Sequence, residues 1–259
     1  MNTDGGFGEY IRVPKDWIIS PNPFDQAPVT DKDIAGPSFT SMVYGTAGLT
    51  AGLCIDKLLT VGNAKPEDGP IAITGASGGV GSIAVEILAQ KLGFEVVAIS
   101  GSINDSSSES KAKALIDLGA AGVVERDTLA PSNKPLLKPT YAHAIDTVGG
   151  APLAELFKRI KPGGSIAACG NAAGLLMGDS ASVLPFILKG IQLLGVDSVE
   201  ISLEEKQHVW NKLSNEWRCG QAEANCQIIG RNDLGESLSA MLEGNSSGVG
   251  RIVLDHNKD

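Results

Sequence analysis

The stretch ITGASGGVGS, Ile73–Ser82, decides the fold. An apolar run, Pro70–Thr74, leads straight into a glycine cluster. The cluster opens an amphipathic helix over about Gly78–Leu92, with Val80, Ile83, Ala84, Ile87 and Leu88 on one face. Strand, tight turn and helix N-terminus together make a cradle for a pyrophosphate, because the helix's first N–H groups and its positive dipole end face the anion. Gly78 lets the backbone approach the phosphates, and Gly81 lets the helix pack closely on the strand. The spacing departs from G-x-G-x-x-G: Ala76–Gly81 reads A-S-G-G-V-G, with the first glycine displaced to Gly75 or replaced by Ala76. Such a pattern by itself also fits a plain strand-to-helix turn. A second strand-like run, Glu95–Ser100, ends about 20 residues beyond the cluster, where a dinucleotide fold places its ribose-reading residue.

Outward from this unit, strands and helices alternate. The strands are Glu95–Ser100, Ala121–Glu125, His143–Asp146, Ser165–Cys169 and Ile191–Asp197. The intervening helices are expected at about Glu109–Leu118, Ala151–Ile160 and Ser182–Lys189, and a helical pattern precedes the first strand from Ser41 to Leu59. Alternation at this spacing predicts an α/β fold, a doubly wound parallel Rossmann sheet with strands buried on both faces. Its ligand rim is the set of strand carboxyl ends: Gly75–Gly81, Ser100–Ser102, Asp146–Gly150, Cys169–Asn171 and Asp197–Ser198. Asn104–Ser110 (NDSSSES) is expected to be an exposed loop. After residue 200 the pattern changes to a charged helix at Leu203–Trp217, strands at Cys226–Ile229 and Arg251–Leu254, and a helix at Asp233–Leu242. The expected division is a dinucleotide-binding domain over 41–200, with 1–40 and 201–259 forming a second lobe.

Composition narrows the function. The chain has 259 residues, with 21 basic and 30 acidic side chains and a net charge of −9, which argues against nucleic acid as the main partner. No apolar stretch approaches a membrane span, and MNTDGGFGEYIRVP lacks the basic start and apolar core of a signal peptide. The expected location is therefore cytoplasmic. Cys54, Cys169, Cys219 and Cys226 are widely spaced, and the three histidines, His143, His208 and His256, are scattered. No metal site is expected, and the cysteines are read as free thiols in a reduced compartment. The apolar strand Ile191–Asp197, at a sheet edge, predicts a homodimer formed there.

Cofactor preference follows from the tip of the second strand. An NAD site usually ends that strand in Asp or Glu, which would repel a 2′-phosphate. Here the tip reads Ser100-Gly101-Ser102, which favours NADP(H), with Lys111, Lys113 or Arg126 as the basic partner.

The segments GGFGEYIRVP, YGTAGLTA, ITGASGGVGS, AIDTVGG, ACGNAAG, LPFILKGIQLLGVDSV and GRIVLD occur in this order. Together they resemble the zinc-free, quinone-oxidoreductase-like branch of the medium-chain dehydrogenase/reductases. ACGNAAG, LPFILKG and LLGVDS are similar to the acrylyl-CoA reductase family in particular. The resemblance implies a bilobal enzyme, with an incomplete GroES-like β-rich catalytic lobe beside the Rossmann domain. It implies NADPH-dependent reduction of the C=C bond of acryloyl-CoA to propionyl-CoA, with hydride added at the β-carbon and a proton at the α-carbon. The alternatives are a quinone or other enone reductase on the same scaffold, and a non-catalytic NADP-binding module. The resemblance assigns Ser77, Gly78, Gly79, Val80 and Gly81 to the pyrophosphate, and Ser100, Gly101 and Ser102 to the 2′-phosphate ribose, where Lys111 or another cation is the candidate to replace the family's arginine. Thr46, Asn171, Ile187 and Ser198 go to the nicotinamide side, with Asn245 as a weaker match. Core packing is the plain alternative for Ile187, and a cap or loop role for Ser198 and Asn245. Two departures stand out. Ser102 replaces an arginine usual in the family. An Asn-Tyr-Lys-Asp stretch, which relatives carry ahead of GGFGEY, has no counterpart here; Tyr10 and Tyr44 do not match it. The chain is therefore expected to be N-terminally truncated, and no catalytic residue is assigned.

Overall fold

Strands buried on both faces need helices on both faces, and the chain supplies them. The computed structural model describes residues 12–19, 24, 36–101, 106–179, 181–242 and 249–258. Helix α1 (Gly36–Thr60) leads into β1 (Ile71–Thr74), α2 (Gly79–Glu86) and β2 (Val96–Ser100). Then follow α3 (Ser106–Asp117), β3 (Gly122–Glu125), β4 (His143–Asp146), α4 (Gly150–Arg159) and β5 (Ser165–Ala168). Helix α5 (Leu184–Lys189) precedes β6 (Gln192–Gly195). These six strands form one parallel sheet in the order β3-β2-β1-β4-β5-β6. The chain winds outward from β1 to β3, then crosses to β4 and winds the other way. The reversal leaves a crevice between the carboxyl ends of β1 and β4, where ligands of such sheets lie.

The faces can be read from alternate residues. Ile71, Ile73 and Ala98 pack with Ile55, Leu58, Ile83, Ile87 and Leu115, from α1, α2 and α3. Ala72, Ala144 and Ile166 face the other way, onto Leu153, Leu156, Phe157 and Ile160 of α4. The Phe157 and Phe186 rings, 5.2 Å apart, extend that layer to α5. The expected doubly wound sheet is what forms.

Past residue 200 come α6 (Leu203–Ser214), α7 (Gly220–Ala224), β7 (Gln227–Ile229), α8 (Leu234–Leu242) and β8 (Ile252–Leu254). Helix α6 opens with a capping box between Ser202 and Glu205. It lies so close to α1 that a Cβ on Gly52 would run into Val209. Asp56 of α1 accepts from Lys212 at 2.8 Å and faces His208 at 3.3 Å. Val209, Leu213, Trp217, Cys219, Ala222 and Val253 belong to the same apolar cluster as α1 and α2. Strands β7 and β8 pair in parallel as a separate two-stranded sheet.

Three expectations need correction. The serine-rich segment is not loop throughout: Ser106–Ser110 form the first turns of α3, where Glu109 lies favourably near the positive helix end. The helix expected to reach Trp217 stops at Ser214, and Trp217 folds back beneath the Lys212 ammonium, 4.5 Å from its ring. The helix after the glycine turn widens at Ile87–Lys91, where Leu92 N–H donates to Ile87 at 3.1 Å in an i→i+5 bond.

At the opposite end of the sheet from the crevice, Ser165 N–H donates to His143 Nδ1 (3.1 Å). Nε2 therefore carries the ring proton and donates to Asp68 Oδ2 (3.1 Å). That bond, with the Lys65 amide, holds the Asp68 carboxyl below its ordinary value of 3.8. A depressed acid stabilises the fold in full above its unfolded value, and the contribution is lost as pH falls through the folded one. The melting temperature should therefore fall more steeply below pH 3.8 in the parent protein than in an Asp68→Asn variant, as followed by circular dichroism.

Candidate functional site

The turn after β1 resolves which glycine does what. Gly75 takes φ +61°, so it is the turn glycine, and Ala76 is fully buried behind it. A Cβ on Gly81 would collide with the Gly75 carbonyl oxygen and stand 2.6 Å from Ala76 Cα. Helix α2 therefore rests directly on the turn backbone. No side chain caps its N-terminus. The Ser100 hydroxyl, at the tip of β2, donates to Ser77 Oγ at 3.0 Å, which joins the second strand's tip to the turn.

The other wall of the crevice is built on Asp146, whose side chain is wholly buried at the end of β4. Thr74 Oγ1 donates to its Oδ1 at 2.7 Å, and Gly149 N–H donates to its Oδ2 at 2.7 Å. Thr147 N–H donates to Thr74 Oγ1 (3.1 Å), and Thr147 Oγ1 donates to the Thr74 carbonyl (2.8 Å). Burial pushes the Asp146 carboxyl up, while the Thr74 hydroxyl and the Gly149 and Val148 amides pull the other way. These bonds fasten β1 to β4 at the reversal of strand order. Behind them, Gly149 leaves room for the Gly170–Asn171 backbone: a Cβ there would stand 2.7 Å from the Gly170 oxygen.

A cation comes from far along the chain. Arg251, half-buried just ahead of β8, donates through Nε to the Val43 carbonyl at 3.1 Å. Its Nη1 lies 3.0 Å from where a Cβ on Gly79 would be, and its Nη2 lies 3.2 Å from that of Gly45. Gly45 breaks α1 with φ +48° and so opens space for the guanidinium. Burial draws the Arg251 pKa below its ordinary value. Among the described residues no carboxylate pairs with it. Gly250 N–H donates to the Ser77 carbonyl at 3.3 Å, so β8 approaches the turn itself. A cavity of about 630 Å³ opens here, lined by Ser77, Gly78 and Gly79 on one side and by β7, α8 and Gly250–Ile252 on the other. Sequence reading missed Arg251; the GRIVLD segment was its only signal.

The remaining site candidates divide. Thr46 is exposed next to the Gly45 break, and its neighbour Ala47 approaches Gly79. Val80 is half-buried in the first turn of α2, and Gly101 is exposed just past β2. Asn171 is exposed beyond β5, where its carbonyl accepts from Gly174 N–H. Ser198 is half-buried beyond β6, beside an Asp197 carboxylate that accepts from the Val199 and Glu200 amides. Lys111 is half-buried on α3. Ile187 is not core: it stands 70% exposed on α5, which overturns the packing alternative, and it does not line the cavity. Ser102 and Asn245 lie outside the described residues, as does Tyr10. Tyr44 is buried away from the crevice, with its hydroxyl on Glu223 and the Cys219 amide. Among the described residues no group of three or more His, Cys, Asp or Glu could hold a metal ion, and no helix is long and apolar enough to cross a membrane.

A sheet of this order with a glycine turn opening α2 defines a nucleotide-binding unit of the dehydrogenase type. Residues 79–215, more than half of the chain, match the family model described as "Zinc-binding dehydrogenase". Acrylyl-CoA reductase AcuI of Ruegeria pomeroyi is 35% identical over 254 residues, 98% of this chain and 70% of that protein. Probable acrylyl-CoA reductase AcuI of Escherichia coli K12 is 42% identical over 210 residues, 81% of this chain and 58% of that protein. The crystal structure of E. coli K-12 YhdH with bound NADPH superposes with a TM-score of 0.75 at 39% identity, covering 84% of this chain and 63% of that one. The chain belongs to the medium-chain dehydrogenase/reductases. Within them it falls in the zinc-free, quinone-oxidoreductase-like branch that includes the acrylyl-CoA reductases. It spans about three fifths of the length of the first curated relatives it matches.

The backbone contact at position 81 gives a direct test. Gly81→Ala should destabilise the protein by about 1–3 kcal/mol, the range of core overpacking. Urea melts should show a lower midpoint at unchanged slope.

Proposed function

We propose that the chain binds NADPH in the crevice between β1 and β4 and serves reduction of the C=C bond of acryloyl-CoA, or a close enoyl thioester, to propionyl-CoA. One observation carries the nucleotide half of this reading: the Arg251 guanidinium faces the uncapped N-terminus of α2 across Gly79. Two positive ends held together in a half-buried place repel unless an anion lies between them. A pyrophosphate is such an anion, and the turn has the glycines to admit it. In this reading Ser77–Gly81 and Arg251 hold the pyrophosphate. Ser100, Gly101 and Lys111 take the adenosine ribose, with Ser102 joining them. Thr46, Asn171, Ile187 and Ser198 stay assigned to the nicotinamide side, and Asn245 remains the weaker match. The cofactor supplies the hydride when bound. The chain's own part is to fix the nucleotide's orientation and to screen its charge.

The substrate half rests on similarity to proteins named acrylyl-CoA reductase. We read 41–200 as the dinucleotide-binding unit and assign 1–40 and 201–259 to the second, β-rich lobe. The separate β7–β8 sheet, which walls the cavity opposite the glycine turn, supports that division. The protein is read as cytoplasmic, in keeping with its four free cysteines. It is also read as a homodimer through β6. That strand is an edge of the sheet, and the β5–β6 connection exposes Leu175, Leu176, Val183, Ile187 and Leu188.

Titration with NADPH, followed by quenching of tryptophan fluorescence, should saturate. Arg251→Ala should weaken binding about tenfold or more, the scale of one charge-assisted contact. Absence of binding in the parent protein would overturn the nucleotide reading. Turnover assays then compare acryloyl-CoA with a simple quinone: oxidation of NADPH by the quinone alone would move the activity to quinone reduction. Binding with no turnover on either acceptor would leave a nucleotide-binding module. Sedimentation velocity at micromolar concentration should show a dimer, and Leu193→Lys, which charges the exposed edge, should shift it to monomer.

A further inference from the structure

The tip of β2 carries no acid of its own, but the sheet brings one beside it. Ser100 and Glu125 are Cα partners in the parallel register of β2 and β3. In-register partners on neighbouring parallel strands point to the same face, about 5 Å apart. The residues behind them fix which face. Ala98 and Val123, two positions back, both pack in the cluster that holds α2 and α3. Ile99 and Val124, one position back, both pack in the cluster on the opposite face. Glu125 therefore stands on the α2 side of the sheet, next to Ser100, whose hydroxyl reaches Ser77 of the glycine turn. It is half-buried, so water screens its charge only in part.

A dinucleotide seated on that turn brings its adenosine ribose to the β2 tip. A carboxylate beside the tip accepts a hydrogen bond from a ribose 2′-hydroxyl and repels a 2′-phosphate. We propose that Glu125 is a cofactor-specificity residue: it lowers the preference for NADPH over NADH, so that this chain accepts both. The proposal rests on the nucleotide reading above and deepens it. It replaces the view that the Ser100-Gly101-Ser102 tip alone sets the choice. The deciding acid comes from the next strand, where spacing along the sequence does not show it.

The test is a set of dissociation constants for NADPH and NADH, measured by fluorescence or calorimetry on the parent chain and three variants. The parent should bind both dinucleotides. Glu125→Gln should raise the NADPH-to-NADH affinity ratio about tenfold, the scale of removing one partly screened charge beside the ribose. Glu125→Lys should raise it further, and Glu125→Asp, which keeps the charge, should leave it near the parent value. This graded order separates a charge effect from a packing effect, and melting curves confirm that each variant is folded. If the parent binds neither dinucleotide, this proposal and the nucleotide reading fall together. If it binds them and the ratio is the same in all four proteins, only the Glu125 assignment falls.

Discussion

The site depends on one backbone contact, that between Gly81 and the Gly75–Ala76 turn. Because no side chain stands at position 81, α2 starts within van der Waals reach of the end of β1. The helix axis then points its N-terminus into the crevice rather than past it. A macrodipole's field falls off within about one turn, so a shift of the helix by a side chain's width would place any anion beyond its useful range. Gly75 makes the approach possible with a φ of +61°, a conformation an L side chain rarely adopts. Fold and anion site are thus the same few atoms seen from two sides.

The opposite wall obeys a different constraint. A wholly buried carboxylate such as Asp146 is costly unless its oxygens are hydrogen-bonded. The bonds go to Thr74, on the neighbouring strand, and to backbone amides of its own turn. The carboxylate oxygens are thereby satisfied by protein donors, so an acid can stand at the end of β4 beside the crevice. In exchange the two strand ends are fixed relative to one another. An asparagine would leave its amide nitrogen facing a donor at one of these positions. That explains the choice of an acid at this position.

Much of this was legible in the sequence because the strands are continuous apolar runs broken by glycine turns. β4 begins and ends at His143 and Asp146, as its run of residues suggested, and the rim of strand ends follows from the alternation. What stayed hidden is non-local. Helix α7 has five residues and no apolar period; it exists because Glu86 of α2 accepts from the Gln221 and Ala222 amides at 2.9 and 2.8 Å, a cap supplied from 135 positions away. Arg251 belongs to the site only because Gly45 interrupts α1 to admit it. Glu125 neighbours Ser100 only through strand register. Each is a long-range pairing of polar groups, which hydrophobic periodicity does not encode.

The same non-local pairing makes the site a joint between two parts of the chain. Arg251 and Gly250 reach the glycine turn from the C-terminal segment, while Ser77–Gly79 belong to the first β–α unit. An anion seated between them contacts both, and its binding free energy acts on their association as well as on the ligand. Without it, the guanidinium sits against a positive helix end, and among the described residues its side-chain hydrogen bond goes to the Val43 carbonyl. In the proposed reading, nucleotide binding and the packing of Gly250–Arg251 against the glycine turn are therefore thermodynamically linked. On that reading, a chain with a net charge of −9 holds a polyanionic cofactor because the Arg251 guanidinium and the N-terminus of α2 face the same space, so the local field there, and not the charge of the whole molecule, governs binding.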